Sequence, residues 1–490
     1  MITWGISANS HNAALAVFNQ NQLVFASDSE RFSGIKNDPN LSLSLVDHAI
    51  HKYGGYPDRV CWYEKPFLKT IRQLIAGQGF HNNSPAAYLK QFGIDVPIYT
   101  VSHHHSHAAA GYYTSTFDNA CVVVIDAIGE FNTLSIWQGH ESSLTKLYSL
   151  NYPNSVGIWY SAMTQRCKLK PNEEEYILMG MAALGDPARL YRDILNEFVD
   201  ITASSTHPFT FKQNLHRGCN DWRPDLTSQQ DLYDIAAATQ KVYEFLFELT
   251  LDKATKLSNS RNLVLMGGCA LNCAANTLAY KYFNNLWIMP APGDNGSSIG
   301  AVLASANKHI TYPGPLLGFD MGINTSNNEI VDYLLQNQIC GVARGRAEFG
   351  PRALGNRSLI ADPRGNSIKD SVNEIKNREV FRPFAPAILA ELASEYFDIP
   401  SGRSSDYMQE VYRCKHPELF PAIVHVDGTS RLQTVQADNS PFRLLLEQWY
   451  KETGCPILLN TSLNIKGQPM VNSRADADRW TKAYGVQIFT

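Results

Sequence analysis

At 490 residues the chain exceeds what one hydrophobic core organises, since single cores stop growing at roughly 250–300 residues, so two domains are expected. With 44% hydrophobic residues, 18% charged residues and a formal charge of -4, it has the make-up of a globular enzyme, and nothing in the net charge points to bulk attraction to nucleic acid or membrane. Nine scattered cysteines read as reduced core residues rather than a disulfide framework or zinc site. No stretch reaches the roughly 18 apolar residues of a membrane span, and the start MITWGISANSHNAALAVF lacks a signal-peptide pattern, so a cytoplasmic protein is expected.

In chain order, strands are predicted at Ile2–Ile6, Ala13–Phe18 and Leu23–Ser27, the last two joined as a hairpin. His11, after the first strand, stands where an actin-like kinase carries an Asp-x-Gly-x-Thr phosphate loop, and that loop is absent. An imidazole at a cleft edge can accept the proton of an attacking hydroxyl. Lys36, in SERFSGIK, can reach a phosphate or carbonyl oxygen; its plain alternative is a solvated loop lysine.

The run VSHHHSHAAA gathers four of the 14 histidines within five positions and leads into an Ala-rich helix. His103 and His107 are i and i+4, which puts both imidazoles on one helical face, able to share a divalent ion. Asp126, ending the apolar strand Cys121–Ile125, and Asp294, in the turn PGDNG, are the carboxylates expected to complete the shell. Acidic residues at strand ends in open α/β sheets point into the ligand crevice. Two His and one or two Asp suit iron or another first-row metal better than Mg²⁺ or Ca²⁺. The alternative is a helix-start histidine cluster without metal.

Strands at Cys121–Asp126, Asn132–Trp137 and Leu144–Leu150 repeat the opening pattern. The repeat suggests a duplicated lobe with a ligand cleft between the copies, the layout of the actin-like ATPase superfamily. A helix is predicted over Leu232–Leu257 and strands at Leu263–Met266 and Leu286–Met289. The turn that follows the first of these strands, with Gly267, Gly268 and Asn272, and the PGDNG turn, with Asn295, are expected to meet a nucleotide through backbone N–H groups.

The Pro- and Gly-dense stretch Thr311–Gly318 marks the domain boundary, dividing the chain into 1–315 and 316–490. Beyond it, strands such as Ala422–Val426 and Pro456–Leu459 alternate with the basic turns GRAEFGPRALGNRS and KNREVFRPF. Arginine forks clamp phosphate and carboxyl-phosphate oxygens in two-point contacts. These segments, with HVDGTSR and LNTS, describe a pocket for an acyl phosphate plus ATP; the alternative is a structural Arg–Glu network.

The motifs HNAA, HHHSHAAAGYY, KPNEEEYILMGMAALG, GGCALN, PGDNG, GRAEFGPRALGNRS, FRPFAP, HVDGTSRLQTV and LNTSLN, in this order over essentially the whole chain, resemble the NodU/CmcH-type O-carbamoyltransferase family. The resemblance implies an α/β fold: an actin-like, tRNA threonylcarbamoyl transferase-like N-terminal domain and a YrdC-like C-terminal domain. It implies that carbamoyl phosphate and ATP become carbamoyladenylate in the second domain and that the first passes the carbamoyl group to a hydroxyl.

By the same resemblance His103, His107, Asp126 and Asp294 are ligands of Fe(II), His11 is the general base and Lys36 touches the adenylate. Arg352, Lys376, Arg382, Arg431, Asn460 and Ser462 form the pocket where the adenylate is made. Asn12 stands where relatives often carry Asp, and Ile71–Pro97 offers little to enclose an acceptor. The expected acceptor is a natural-product hydroxyl or a hydroxymethylated nucleobase, with nucleic acid entering only as acceptor; a homodimer is compatible with this reading. Three rival readings are a tRNA threonylcarbamoyl transferase, which lacks the fused second domain, an actin-like sugar kinase, which requires the missing phosphate loops, and a non-catalytic nucleotide-sensing module, which requires neither carbamoyl phosphate nor the metal.

Overall fold

The computed structural model describes residues 1–202, 206–365 and 367–490. Packing divides the chain into two units, one of Met1–Ser10, Ala14–Leu23 and Ala49–Tyr312, the other of His11–Ala13, Val24–His48 and Pro313–Thr490. The chain thus passes between units near the Pro/Gly-rich stretch, and the second unit also recruits two early segments that no cut at 315 assigns to it.

The first sheet comprises β1 (Ile2–Ser7), β2 (Ala14–Asn19), β3 (Gln22–Asp28), β4 (Arg59–Trp62) and β5 (Ile98–Thr100), in the order β3-β2-β1-β4-β5. β1 runs antiparallel to β2 and parallel to β4, which is parallel to β5. A second sheet uses β6 (Asn119–Gly129), β7 (Asn132–His140) and β8 (Ser143–Asn151). After the short ribbon of β9 (Val199–Asp200) and β10 (Thr210–Phe211), it is completed by β11 (Asn262–Met266) and β12 (Asn285–Trp287). Its order, β12-β11-β6-β7-β8, and its directions, antiparallel from β6 to β8 and parallel from β6 through β12, reproduce the first sheet strand for strand. The duplicated actin-like lobe expected from the two strand triplets is present.

Two helices lie between these sheets. The helix Ser297–Ala306 packs on β1 and β4, the helix His103–Thr114 packs on β6 and β11, and the two pack on each other. The run Ala108–Ala110, fully buried, keeps that interface thin. The long helix Gln229–Leu257 starts three residues before the expected Leu232, because Ser228 and Asp231 form a reciprocal capping box.

The second unit carries a ribbon of β13 (Leu316–Asp320) and β15 (Arg346–Glu348). Its main sheet comprises β14 (Ile339–Ala343), β16 (Arg357–Ala361), β17 (Ala385–Leu389), β18 (Glu410–Arg413), β19 (Thr429–Val435), β20 (Ile457–Ser462) and β21 (Ile488–Phe489), in the order β18-β19-β17-β20-β16-β14-β21. One face buries Val342, Ile360, Ala387 and Leu458 against Leu334, Leu445 and Trp449; the other buries Leu359, Ile388, Ile457 and Leu459 against Ile368, Val372 and Trp480.

The predicted strand Ala422–Val426 is not one. The Ser430 hydroxyl donates to Ile423 O at 2.7 Å, Gly428 N–H donates to His425 O at 2.9 Å, and the strand starts at Thr429. An apolar run was closed into a turn by its glycine. All nine cysteines are free, and among the described residues no helix is long and apolar enough to cross a membrane.

Candidate active site

The helix that begins at His103 does so without a side-chain cap from Ser102. Its start is satisfied by Glu130, whose Oε1 accepts the His103 N–H at 3.2 Å and the Lys65 N–H at 2.6 Å, a carboxylate placed at the positive end of the helix. His103 and His107 therefore lie one turn apart on a face looking at the ends of β6 and of the turn after β12. There they meet Asp126 and Asp294, and one donor atom from each of the four lies within 4.8 Å of the others.

His103 Nε2 is 3.0 Å from Asp126 Oδ2 and 3.4 Å from Asp294 Oδ1; His107 Nε2 is 3.1 Å from His103 Nε2 and 3.3 Å from Asp294 Oδ1. Both histidines are buried. Bond lengths of about 2.0–2.2 Å to a first-row ion place neighbouring donors roughly 3 Å apart, so these spacings fit a shared cation.

Neighbouring atoms fix each donor. His107 Nδ1 lies 3.1 Å from Pro292 O, an oxygen that also accepts the Gly267 N–H at 2.9 Å; donation there leaves Nε2 free to ligate. Gly268 N–H donates to Asp126 Oδ1 at 3.2 Å and the Ser10 hydroxyl to Asp294 Oδ2 at 3.2 Å. Gly129 lets the His103 ring lie on the end of β6, where a Cβ would come within 2.1 Å of Cδ2. Gly267 adopts φ +90°, and a Cβ there would sit 2.2 Å from Ile125 O. Burial disfavours charge throughout, yet Asp294 and Asp126 override it and hold His103 protonated well above the usual imidazole range. In turn, His103 and His107 hold both carboxyls below the usual carboxylate range against the same burial. A cation held by these four residues would take the place of the proton on His103.

The other two histidines of the cluster are structural. His104 Nδ1 lies 2.7 Å from Ser135 Oγ, and its burial, then the charge of His103, push its pKa well down. His105 stacks on Trp137 at 5.3 Å.

The N–H groups of Gly267 and Gly268, expected to meet a nucleotide, donate within the protein to Pro292 O and Asp126 Oδ1. Asn272 is likewise engaged, exchanging amide hydrogen bonds with Gln240 at 3.0 and 3.1 Å and capping Ala275 N–H. Asn295 is buried, its Oδ1 accepting the Gly296 N–H.

His11 is exposed, and its loop is pinned within the second unit through Ala13, whose N–H donates to Asp38 O and whose carbonyl accepts the Ser29 N–H. Lys36 is in the same unit, its ammonium 2.9 Å from both oxygens of Glu30. Burial opposes ionisation of Glu30, but Lys36 and Arg31 hold its pKa down.

In the second unit, Lys376 is buried at the end of its helix and donates to Ser462 O, to Ser462 Oγ at 3.3 Å and to Asn464 O at 2.8 Å. Burial, then Arg378 and Arg382, push its pKa well down. The ladder register places Gln433, Asn460 and Ser462 on one face of the sheet, and Arg431, two residues before Gln433, shares it. Across that face lies Ala353–Leu354. Asn460 Nδ2 donates to Ala353 O at 3.2 Å and Gln433 Nε2 to Leu354 O at 3.1 Å, which sets Arg352 at the head of the turn.

The same turn hangs from Glu348, whose Oε1 accepts N–H groups of Leu354, Asn356 and Arg357 at 2.7, 2.8 and 3.3 Å. Arg382 is held by Glu379 at 3.2 Å. Not every arginine in this motif is available to a ligand. Arg357 is fully buried and spends its guanidinium on the carbonyls of Arg344, Phe319 and Asn472, and Arg346 donates to Leu317 O and Val24 O.

Sequence reasoning missed Ser10, Glu130, Glu348 and Gln433. Ser10, Glu130 and Gln433 act through contacts distant in sequence, whereas Glu348 acts within its own motif, six to nine residues ahead.

Family models described as "Carbamoyltransferase N-terminus" and "Carbamoyltransferase C-terminus" match residues 59–303 and 331–490. The chain is 33% identical over 574 residues to "Uncharacterized protein sll1178" of Synechocystis sp., covering 97% of this chain and 93% of that one. It is 30% identical over 519 residues to "Nodulation protein NolNO" of Sinorhizobium fredii (95% and 76% covered). It is 26% identical over 513 residues to the "3'-hydroxymethylcephem-O-carbamoyltransferase" of Amycolatopsis lactamdurans (97% and 95% covered).

Among solved structures, full-length HypF in a phosphate- and nucleotide-bound form aligns with a TM-score of 0.37 at 13% identity, over 62% of this chain and 55% of that one. The matched models and relatives together place the chain in the carbamoyltransferase family, of NodU/CmcH type, and it is a carbamoyltransferase.

Proposed function

We propose that the chain is an O-carbamoyltransferase that works in two half-reactions. In the first, carbamoyl phosphate, ATP and water yield carbamoyladenylate, phosphate and pyrophosphate; in the second, the carbamoyl group passes to an acceptor hydroxyl and AMP leaves. The observation that carries this reading is the convergence of His103, His107, Asp126 and Asp294 on one point. It is supported by a separate basic and polar surface on the second unit.

Two imidazoles and two carboxylates form a donor set suited to a first-row transition ion, and we assign Fe(II). When bound, the ion supplies Lewis acidity toward the carbonyl or phosphoryl oxygen of the adenylate. The protein does the rest. Ser10 and Gly268 hold the two carboxylates in orientation. The family resemblance assigns His11 as the base for the attacking hydroxyl and Lys36, which pairs with Glu30, as a contact of the adenylate.

Forming a mixed anhydride brings several negative oxygens together, which needs clustered cations. Arg352, Lys376, Arg382 and Arg431 meet that need, with Asn460 and Ser462 as neutral hydrogen-bonding partners. The acceptor hydroxyl belongs to a natural-product sugar or polyketide or to a hydroxymethyl group, a reading supported by the name of the Amycolatopsis relative.

The test is incubation of the full chain with carbamoyl phosphate, ATP and iron(II), followed by mass spectrometry. Carbamoyladenylate is the expected product. Phosphoryl transfer from ATP to a sugar, with no adenylate, would overturn the assignment.

A further inference from the structure

The helix Pro66–Ile75, between β4 and β5, is inverted relative to a core helix: it buries Lys69 and Arg72 while Phe67, Leu74 and Ile75 are exposed. An amphipathic helix facing a core turns its apolar stripe inward; here two cations at i and i+3 share the inward face. Their surroundings differ. Lys69 pairs with buried Glu64 at 2.7 Å and donates to Asn9 O at 2.7 Å. Arg72 is 9% exposed, and its one hydrogen bond among the described residues is a long one, from Nη1 to Gln78 Oε1 at 3.4 Å; Nε is buried with no partner. Burial pushes its pKa down, and Glu64, the carboxylate that opposes this, is held by Lys69. A structural arginine looks different. Arg166, buried in the same unit, donates to the carbonyls of Trp222, Arg223 and Leu226 at 2.6, 2.6 and 2.9 Å. A covered guanidinium with neither carbonyls nor a carboxylate around it is costly, and an anionic ligand removes that cost.

A second chain segment, the loop after β10, brings further donors to the same place. Gln78 links the two: its amide accepts from Arg72 through Oε1 and donates through Nε2 to His216 Nε2 at 3.2 Å. His216 is fixed by its own N–H, which donates to Asn214 Oδ1 at 3.1 Å, and by the edge of its ring on Tyr152 at 5.9 Å. Burial, then the charges of Arg72 and Arg217, lower the His216 pKa, and no carboxylate offsets them. Both guanidiniums therefore stand near this imidazole. Gln78, His216 and Arg217 are exposed and Arg72 is buried, so the donors run from the surface down to a charge that lacks a partner.

We propose that Arg72, Gln78, His216 and Arg217 form an anion site in the first unit and that it takes a phosphate group. Two guanidiniums and an imidazole carried by separate chain segments suit the three oxygens of a phosphate better than the two coplanar oxygens of a carboxylate. The site shares no residue with the four-residue cluster or with the basic surface of the second unit, so it stands independently of the two half-reactions.

The experiment is isothermal titration calorimetry on the full chain with inorganic phosphate, ribose 5-phosphate and acetate as probes, run on the wild type, Arg72→Met, Arg217→Gln and Arg382→Ala, with thermal unfolding beside it. Both phosphate probes are expected to bind the wild type more tightly than acetate does, and to keep a binding component in Arg382→Ala, which removes an arginine of the second unit. Arg72→Met should weaken that component by about tenfold or more, and Arg217→Gln should weaken it less. Because Arg72→Met replaces an unpaired buried charge by an apolar chain, it should melt no lower than the wild type without phosphate, and only the wild type should gain stability from this site as phosphate is added. Tighter binding of ribose 5-phosphate than of inorganic phosphate assigns the site to a phosphate ester, and the reverse assigns it to free phosphate. No phosphate binding, its complete loss in Arg382→Ala, unchanged binding in a folded Arg72→Met, or a preference for acetate would overturn the site. If Arg72→Met does not fold, Arg217→Gln, at an exposed position, decides: unchanged phosphate binding there overturns it.

Discussion

Replacing Glu348 by Ala removes the acceptor on which the turn carrying Arg352 hangs. One carboxylate oxygen accepts three backbone N–H groups, from Leu354, Asn356 and Arg357, and the residue is 2% exposed. A buried donor left without an acceptor costs about 1–3 kcal/mol. The three share one turn and are not independent, so the summed cost is about 3–6 kcal/mol. At about 2–4 °C per kcal/mol for a unit of this size, one transition in scanning calorimetry should fall by about 6–24 °C. Glu348→Gln keeps an acceptor and places its NH₂ where Glu348 Oε2 has no partner, so its loss should be about 1–2 kcal/mol. If the alanine variant unfolds within about 2 °C of the wild type, the turn is not held by Glu348 and the placement of Arg352 is wrong.

Three further outcomes follow from the structure. Gly267→Ala puts a Cβ 2.2 Å from Ile125 O at φ +90°, so it should destabilise the first unit by about 2–5 kcal/mol in denaturant titration; a neutral result would mean that the turn relaxes freely. Ser10→Ala removes the hydroxyl on Asp294 and should lower iron(II) retention by about tenfold or more in equilibrium dialysis, with unchanged retention arguing against an orienting role. Asp231 is held at about 2, below the ordinary 3.8, by its hydrogen bond with Ser228 and then by Arg189. A depressed carboxyl stabilises the fold above its ordinary pKa and loses that contribution as pH falls toward its folded value. The melting temperatures of wild type and Asp231→Asn should therefore diverge above pH 3.8 and converge near pH 2; a constant gap would contradict the assignment.

The duplicated lobe was legible because both strand triplets are nearly continuous apolar runs broken by polar turns, and the cluster was legible because its histidines sit at helical spacing. Asp126 and Asp294 followed from strand ends. What stayed hidden depends on side chains far apart in sequence: Glu130 at the start of the His103 helix, Ser10 on Asp294, and Gln433 beneath the Arg352 turn. The Arg-rich motif misled in part. Arg346 and Arg357 look like anion clamps in sequence but donate to backbone carbonyls, and composition does not separate the two uses. Ala422–Val426 has the residues of a buried strand, yet Gly428 and the Ser430 hydroxyl fold it into a turn.

The division between the two half-reactions is tested without an acceptor by carbamoyl phosphate-dependent exchange of labelled pyrophosphate into ATP, compared across the wild type, His103→Ala and Arg382→Ala. Exchange is expected in the wild type and in His103→Ala, and none in Arg382→Ala. No exchange in the wild type, or its loss in both variants, would contradict a division between adenylate formation and carbamoyl transfer.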